Sequence, residues 1–149
     1  MNEDIQTVVT SVNSILKDTN LTPVVEAVMG RLVSFGYIPT DADTWLIAYS
    51  TKGTVKHVLN ETNCKTVPEG LFEVLVDMIC GEVLNTKYLS GQLDLADLDL
   101  DGMIQSVKQG DTQVNFSAEG SDEAKVKGLL SWLIQGKGSD FLCYRKMRW

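Results

Sequence analysis

Apolar residues recur at three- and four-residue steps through most of this chain, the spacing of helices that bury one face. Between residues 4 and 17, Ile5, Val8, Val9, Val12, Ile15 and Leu16 keep that step and predict a first helix. A second follows, with Thr22 as cap, Pro23 in the first turn, Val24, Val25, Val28, Leu32 and Val33 inside, and Gly36 as its stop. Thr40, Asp41 and Asp43 offer a capping hydroxyl and first-turn acids to a third helix, which reads Trp45, Ala48, Tyr49, Val55 and Leu59 along one side. Gly53 and the β-branched Thr51, Thr54 and Val55 weaken the middle of that helix and leave room for a kink, and it is expected to run to about Glu61.

Pro68 opens a fourth helix with two adjoining apolar stripes, Phe72, Val76, Ile79 and Val83 beside Leu71, Leu75 and Met78. So wide an apolar surface marks the central, most buried helix. Gly81 in its interior costs about 1 kcal/mol of helix propensity relative to alanine, which a close approach of another helix would offset. Gly30 and Gly128 raise the same expectation in their own helices.

Beyond residue 90 the period changes. Leucine and aspartate alternate up to Gly102; then Thr112, Val114 and Phe116 alternate with Gln113 and Asn115 as in a half-buried strand. Residues 104–107 are the predicted partner strand across the turn at 108–111. A last helix starts at Ser121, carries Val126, Leu129, Leu130 and Leu133 inside, and ends at the Gly136-Lys137-Gly138 break. The expected fold is mainly α: a compact bundle of about five helices with one β-hairpin or extended loop between the last two. Residues 1–138 form the helical body of a single domain, with the hairpin at about 103–117, and residues 139–149 form an extended C-terminal tail.

Length and composition agree, since 149 residues at 44% hydrophobic and 22% charged suit one core. Glu3 and Asp4 occupy the place where a secretory signal carries positive charge, and the longest apolar run, 129–134 interrupted by Ser131, cannot span a bilayer. A soluble protein made in a cytoplasm is expected. The net charge of −7 argues against a sequence-independent nucleic-acid binder, which draws affinity from neutralising phosphates. It leaves two readings open: an acidic wall that lets a duplex slide past, or plain solubility.

The candidate chemistry is thin. Cys64, Cys80 and Cys143 are odd in number and far apart, and His57 is the one histidine, so neither a disulfide framework nor an ordinary zinc site is expected. Three reduced thiols in apolar surroundings fit better. His57 and Cys64 have no third orienting group, and Glu69, Glu73 and Asp77, four apart on one helix face, read as a stripe facing solvent or paired with lysine. The run from Asp97 through Asp99 and Asp101 to Gly102 imitates half of an EF-hand loop, but Lys108 stands where a bidentate glutamate must complete the cage. An exposed acidic loop containing Asp94, Asp97, Asp99 and Asp101 is the better reading. No catalytic residue, cofactor site or metal site is expected.

Two features remain. Gly110-Asp111-Thr112 is either a simple reversing turn or a projecting tip that reaches a neighbour. The last residues, Tyr144 to Trp149, concentrate aromatic and basic types on an acidic chain, either as a partner-binding tail or folded back on the core.

From about Thr40 onward the order of short signals is specific: the helix exit at Asn60 and Asn63, Val67-Pro68 with Gly70-Leu71, and Gly81-Glu82 with Lys87 and Gly91. Gly110-Asp111-Thr112 with Val114 and Phe116 comes next, and Tyr144-Arg145-Lys146 with Trp149 closes the chain. In this order the chain resembles the head–tail connector (adaptor, head completion) family of tailed phages, most closely the versions from phages of Gram-positive hosts. The resemblance implies a virion structural protein, not an enzyme, all-helical apart from a hairpin or extended loop. It implies assembly in the bacterial cytoplasm as a homo-oligomeric ring, commonly a dodecamer, on the portal protein after DNA packaging. The ring would extend the DNA channel without binding DNA specifically, and would offer a docking surface to a stopper or tail-completion protein, with no cofactor and no membrane. Carried onto this sequence, it suggests Tyr144, Arg145 and Trp149 as a portal-binding tail and Asp111 and Thr112 near a subunit contact. The acidic loop would then face DNA or the next ring. The alternative is an acidic helical regulator or inhibitor that covers a basic partner surface.

Overall fold

The computed structural model describes residues 3–94, 96, 98–110 and 122–135. Among them are six α-helices and no strand: α1 (Glu3–Leu16), α2 (Thr22–Ser34), α3 (Thr44–Thr62), α4 (Phe72–Leu89), α5 (Leu100–Gly110) and α6 (Asp122–Ile134). Short 3-10 turns lead into α2, α3 and α4. No helix of the described residues is long and apolar enough to cross a membrane.

As the two adjoining stripes predict, α4 is the centre. It packs against α2, α3 and α6, while α1 covers α2 and α3, and α5 lies on α6. Residues 75–81 of α4 are all buried, so this helix has no solvent face through its middle. Gly81 marks its closest contact: a Cβ there would stand 2.8 Å from Leu133 Cβ and 3.1 Å from the Ile134 backbone nitrogen, so only glycine lets α4 and α6 approach this far. The expectation fails at the other two glycines. A Cβ on Gly30 would meet nothing within 4 Å, and Gly128 is exposed.

The core on α1, α2 and α6 follows the predicted stripes, with Ile5, Val8, Val9 and Val12, then Val24, Val25, Val28 and Leu32, then Val126, Leu129, Leu130 and Leu133 all buried. Thr22 is not the cap of α2; it lies inside the helix, and Asp18 caps the preceding 3-10 turn by accepting from the Asn20 N–H at 2.9 Å. At the other end of the next helix, Asn63 adopts the left-handed conformation (φ 54°) that closes α3, as the asparagine-rich exit suggests. Gly53 does not break α3, which is one helix from Thr44 to Thr62.

Residues 104–107 are helical, not a strand. Four residues of alternation are too few to distinguish the two periods, and the longer spacing of Leu100, Met103 and Ile104 suits a helix that buries Met103. Asp99 starts it, its carboxylate accepting from the Gly102 N–H at 3.1 Å. The proposed second strand, 112–116, and the tail, 139–149, lie outside the described residues, as do Asp97, Asp111, Thr112, Tyr144, Arg145 and Trp149.

The largest departure concerns α3. Its buried side is Thr44, Ile47, Ala48, Thr51, Thr54, Val58 and Thr62, whereas Trp45 and Tyr49, read from sequence as lying on an inward side with Ala48, are 60% and 69% exposed. Threonine fits where bulkier side chains do not, because α3 is held between α1 and α4 and shares its inner face with both.

Candidate functional site

Three helix ends meet at one corner. Gly36 (φ 92°) closes α2 with the Tyr37 N–H bonded back to the Leu32 carbonyl, and Gly91 (φ 75°) closes α4 with the Gln92 N–H bonded back to the Lys87 carbonyl. These two left-handed exits, which L side chains rarely adopt, bring Tyr37 and Gln92 toward the start of α3. There Asp43 is buried. Its carboxylate accepts from the Tyr37 hydroxyl at 2.6 Å and the Thr40 N–H at 3.1 Å, and pairs with the Lys87 ammonium, which also donates to Gln92 at 3.0 Å.

Burial pushes the Asp43 carboxyl up, but the bonds from Lys87, Tyr37 and the Thr40 N–H outweigh it and hold it below the ordinary value of 3.8. Burial, and then the bond to that carboxylate, pushes the Tyr37 hydroxyl well above its ordinary value. The corner therefore holds an ionised carboxylate and a neutral phenol at pH 7, each stabilised by the other.

The fold also leaves several large apolar side chains in solvent. Among the described residues they are Val33, Ile38, Trp45, Tyr49 and Leu89, each within six residues of Tyr37, Asp43 or Lys87 in the chain. The rings of Trp45 and Tyr49, one helical turn apart, are tilted against each other with centroids 5.8 Å apart. Exposed Lys52 and Lys56 continue the same face of α3 over roughly 16 Å.

A second surface lies where α2 and α4 begin and α3 ends. It is a groove of about 920 Å³ walled by Pro23, Val24, Val55, Leu59, Val67 and Phe72, with Asp18, Glu69 and Glu73 among its polar residues. A smaller groove between α2 and α4 holds a second ion pair. Asp77 is buried there and accepts from Arg31 Nε at 3.0 Å, while the guanidinium stacks 4.6 Å from the Phe35 ring centre. The carboxylate stripe is therefore split, with Glu69 and Glu73 exposed and Asp77 paired inward with an arginine of α2.

Of the acidic loop, Asp94, Asp99 and Asp101 are exposed. Asp94 closes a local turn onto the Ala96 N–H at 2.9 Å, Asp99 caps α5, and Asp101 occupies the first turn of α5, so two of the three belong to a helix start. The Asp99 N–H donates to the Phe35 carbonyl at 3.0 Å, tying the segment to the exit of α2. Cys80 is buried against the Val28 carbonyl, and burial pushes its thiol well up, which suits an inert thiol. Cys64 is half-buried, with its sulfur 3.5 Å from the Thr62 carbonyl, while His57 is exposed on α3. Among the described residues no group of three or more His, Cys, Asp or Glu side chains is placed to hold a metal ion.

Sequence reasoning missed the corner and the outward turn of the aromatic pair. One signal could have revealed the second: Trp45, Tyr49, Lys52 and Lys56 share one helix face, and a face with two lysines is seldom a core face. No family model, no curated protein and no solved structure matches this chain.

Proposed function

We propose that this chain is a structural subunit of a tailed-phage particle, a head–tail adaptor that works through surfaces. On this reading it assembles in the bacterial cytoplasm onto the portal after genome packaging. Copies of it form a ring, a dodecamer by the family pattern, that extends the DNA channel and receives a stopper or tail-completion protein. The observation that carries the reading is the outward aromatic pair: Trp45 and Tyr49 stand in solvent, ring beside ring, on a helix whose entry is pinned by the buried Asp43 with Lys87 and Tyr37. An exposed apolar patch held in fixed geometry is what a protein-binding surface needs, since little order is lost when the partner arrives. The order of motifs from Thr40 to Trp149 supplies the kind of partner.

Tyr144, Arg145 and Trp149 are assigned to a portal-binding tail, Asp111 and Thr112 to the neighbourhood of a subunit contact, and the acidic residues from Asp94 to Asp101 to a face turned to DNA or the next ring. The test uses DNA-filled heads that carry portal but no tail. The full chain is expected to co-sediment with them and a form lacking residues 141–149 is not, while retaining its helical circular dichroism. Equal binding by both removes the tail assignment, and no binding by either removes the adaptor reading. The net charge of −7 favours one other reading, a regulator that covers a basic surface; it predicts binding to a basic partner that weakens steeply with salt.

A further inference from the structure

We infer that the aromatic start of α3 in one copy of this chain seats in the apolar groove of a second copy. The inference deepens the assembly reading above by naming the surfaces through which copies meet, and it rests on that reading for its biological setting.

The two surfaces are unlike and complementary. Trp45 and Tyr49 stand out of the bundle as a tilted pair, and large aromatics of this kind supply most of the energy where protein surfaces meet. The groove, at about 920 Å³ and lined mainly by apolar side chains, has room for both rings. Charge follows the same sense. Asp18, Glu69 and Glu73 line the groove against a single cation, Lys65, while the helix face behind the aromatic pair presents Lys52 and Lys56. An aromatic pair entering the groove therefore brings two ammonium groups toward an acidic rim, on a chain whose net charge would otherwise keep copies apart.

Placement adds a further argument. Trp45 and Tyr49 lie in the first turns of α3, and Val55 and Leu59 of the groove wall lie roughly 15 Å further along the same helix. The aromatic pair does not fill its own groove, and one continuous helix sets the distance between projection and recess. Each copy thus carries both halves of the contact in fixed relation.

Two half-defective variants test this. The double variant Trp45→Ala/Tyr49→Ala lacks the projection and keeps the groove, while Val67→Arg blocks the groove and keeps the projection. Thr66→Arg, at an exposed groove position, serves if the half-buried Val67 site disturbs folding. In sedimentation velocity the natural chain is expected to self-associate at submillimolar concentration. Each variant alone should bind itself about thirtyfold more weakly, the loss typical of a truncated aromatic hot spot. The equimolar mixture should form a one-to-one dimer and nothing larger, since it contains one intact projection and one intact groove. A photo-crosslinker replacing Tyr49 in the natural background should then label residues 65–72 of another copy. A mixture that stays monomeric, or labelling confined to other regions, overturns the contact. For the natural chain, species larger than a dimer support both the contact and the ring, whereas a closed dimer keeps the contact and counts against the ring.

Discussion

The two faces of α3 invert the usual expectation of what is buried. Inward, four threonines accompany Ile47, Ala48 and Val58; outward, a tryptophan and a tyrosine stand with two lysines. Hydrophobicity alone would turn this helix over. The difference teaches that an inner face between two packed helices is selected for size before polarity, provided its hydroxyls find acceptors. Thr62 meets that condition, donating to the Val58 carbonyl at 2.8 Å, whereas Thr51 Oγ1 is buried with no hydrogen-bond partner among the described residues. The outward face is under no such constraint and leaves two aromatic rings in solvent.

The largest expected effect comes from removing what fixes the orientation of α3. Asp43→Ala leaves the Lys87 ammonium largely buried without its carboxylate and frees the entry to the helix, which should cost about 3–5 kcal/mol in chemical denaturation. Its pH dependence follows from the two shifts. The folded Asp43 pKa is depressed, so its contribution is present above 3.8 and is lost as pH falls through the folded value. The folded Tyr37 pKa is raised, so its contribution is present below the ordinary value of 10.0 and fades as pH rises beyond it. Stability measured against pH should therefore drop on both flanks in the natural chain, and the acid drop should shrink in Asp43→Asn.

Next in size is the inner face itself. Ile47→Ala empties a fully buried site and should destabilise by about 3 kcal/mol in thermal or urea unfolding. Thr51→Val keeps the shape and removes the unpartnered hydroxyl, so a gain of about 1 kcal/mol is expected. A loss there would show that the inner threonines are kept for their hydrogen bonds and not for their size. Smallest is the outer face, where Trp45→Ala should shift stability by less than about 0.5 kcal/mol, because the ring contributes little to the core. A large loss at Trp45 would mean that the two faces do not divide folding from recognition as described.

Sequence patterning was most informative where one face of a helix meets a broad apolar neighbour. The stripes of α1, α2 and α6, the central place of α4, the Gly81 crossing and the asparagine exit of α3 were all legible, because burial there selects large apolar residues or a special backbone. Local signals misled where they were short. Alternation over 104–107 suggested a strand, and a hydroxyl before Pro23 suggested a cap, although the first is helical and α2 starts at Thr22 without a side-chain cap. The candidate site was less legible than the fold. Asp94, Asp99 and Asp101 are exposed, the last of them in a helix and not in a loop, while Asp43 and Lys87 are 44 residues apart, and no local pattern announces that two distant charges will share one buried position.

Composition and periodicity by themselves determined that this chain is mainly helical, that most of its helices bury one apolar stripe, and which helix lies at the centre. Those properties follow from repeat spacing along a single element. Only the tertiary structure decided that α3 turns its aromatics outward, that Asp77 finds Arg31, and that three helix ends close on one carboxylate. Each of these depends on the space left between neighbours and on partners distant in the chain, and neither quantity is written in any one segment.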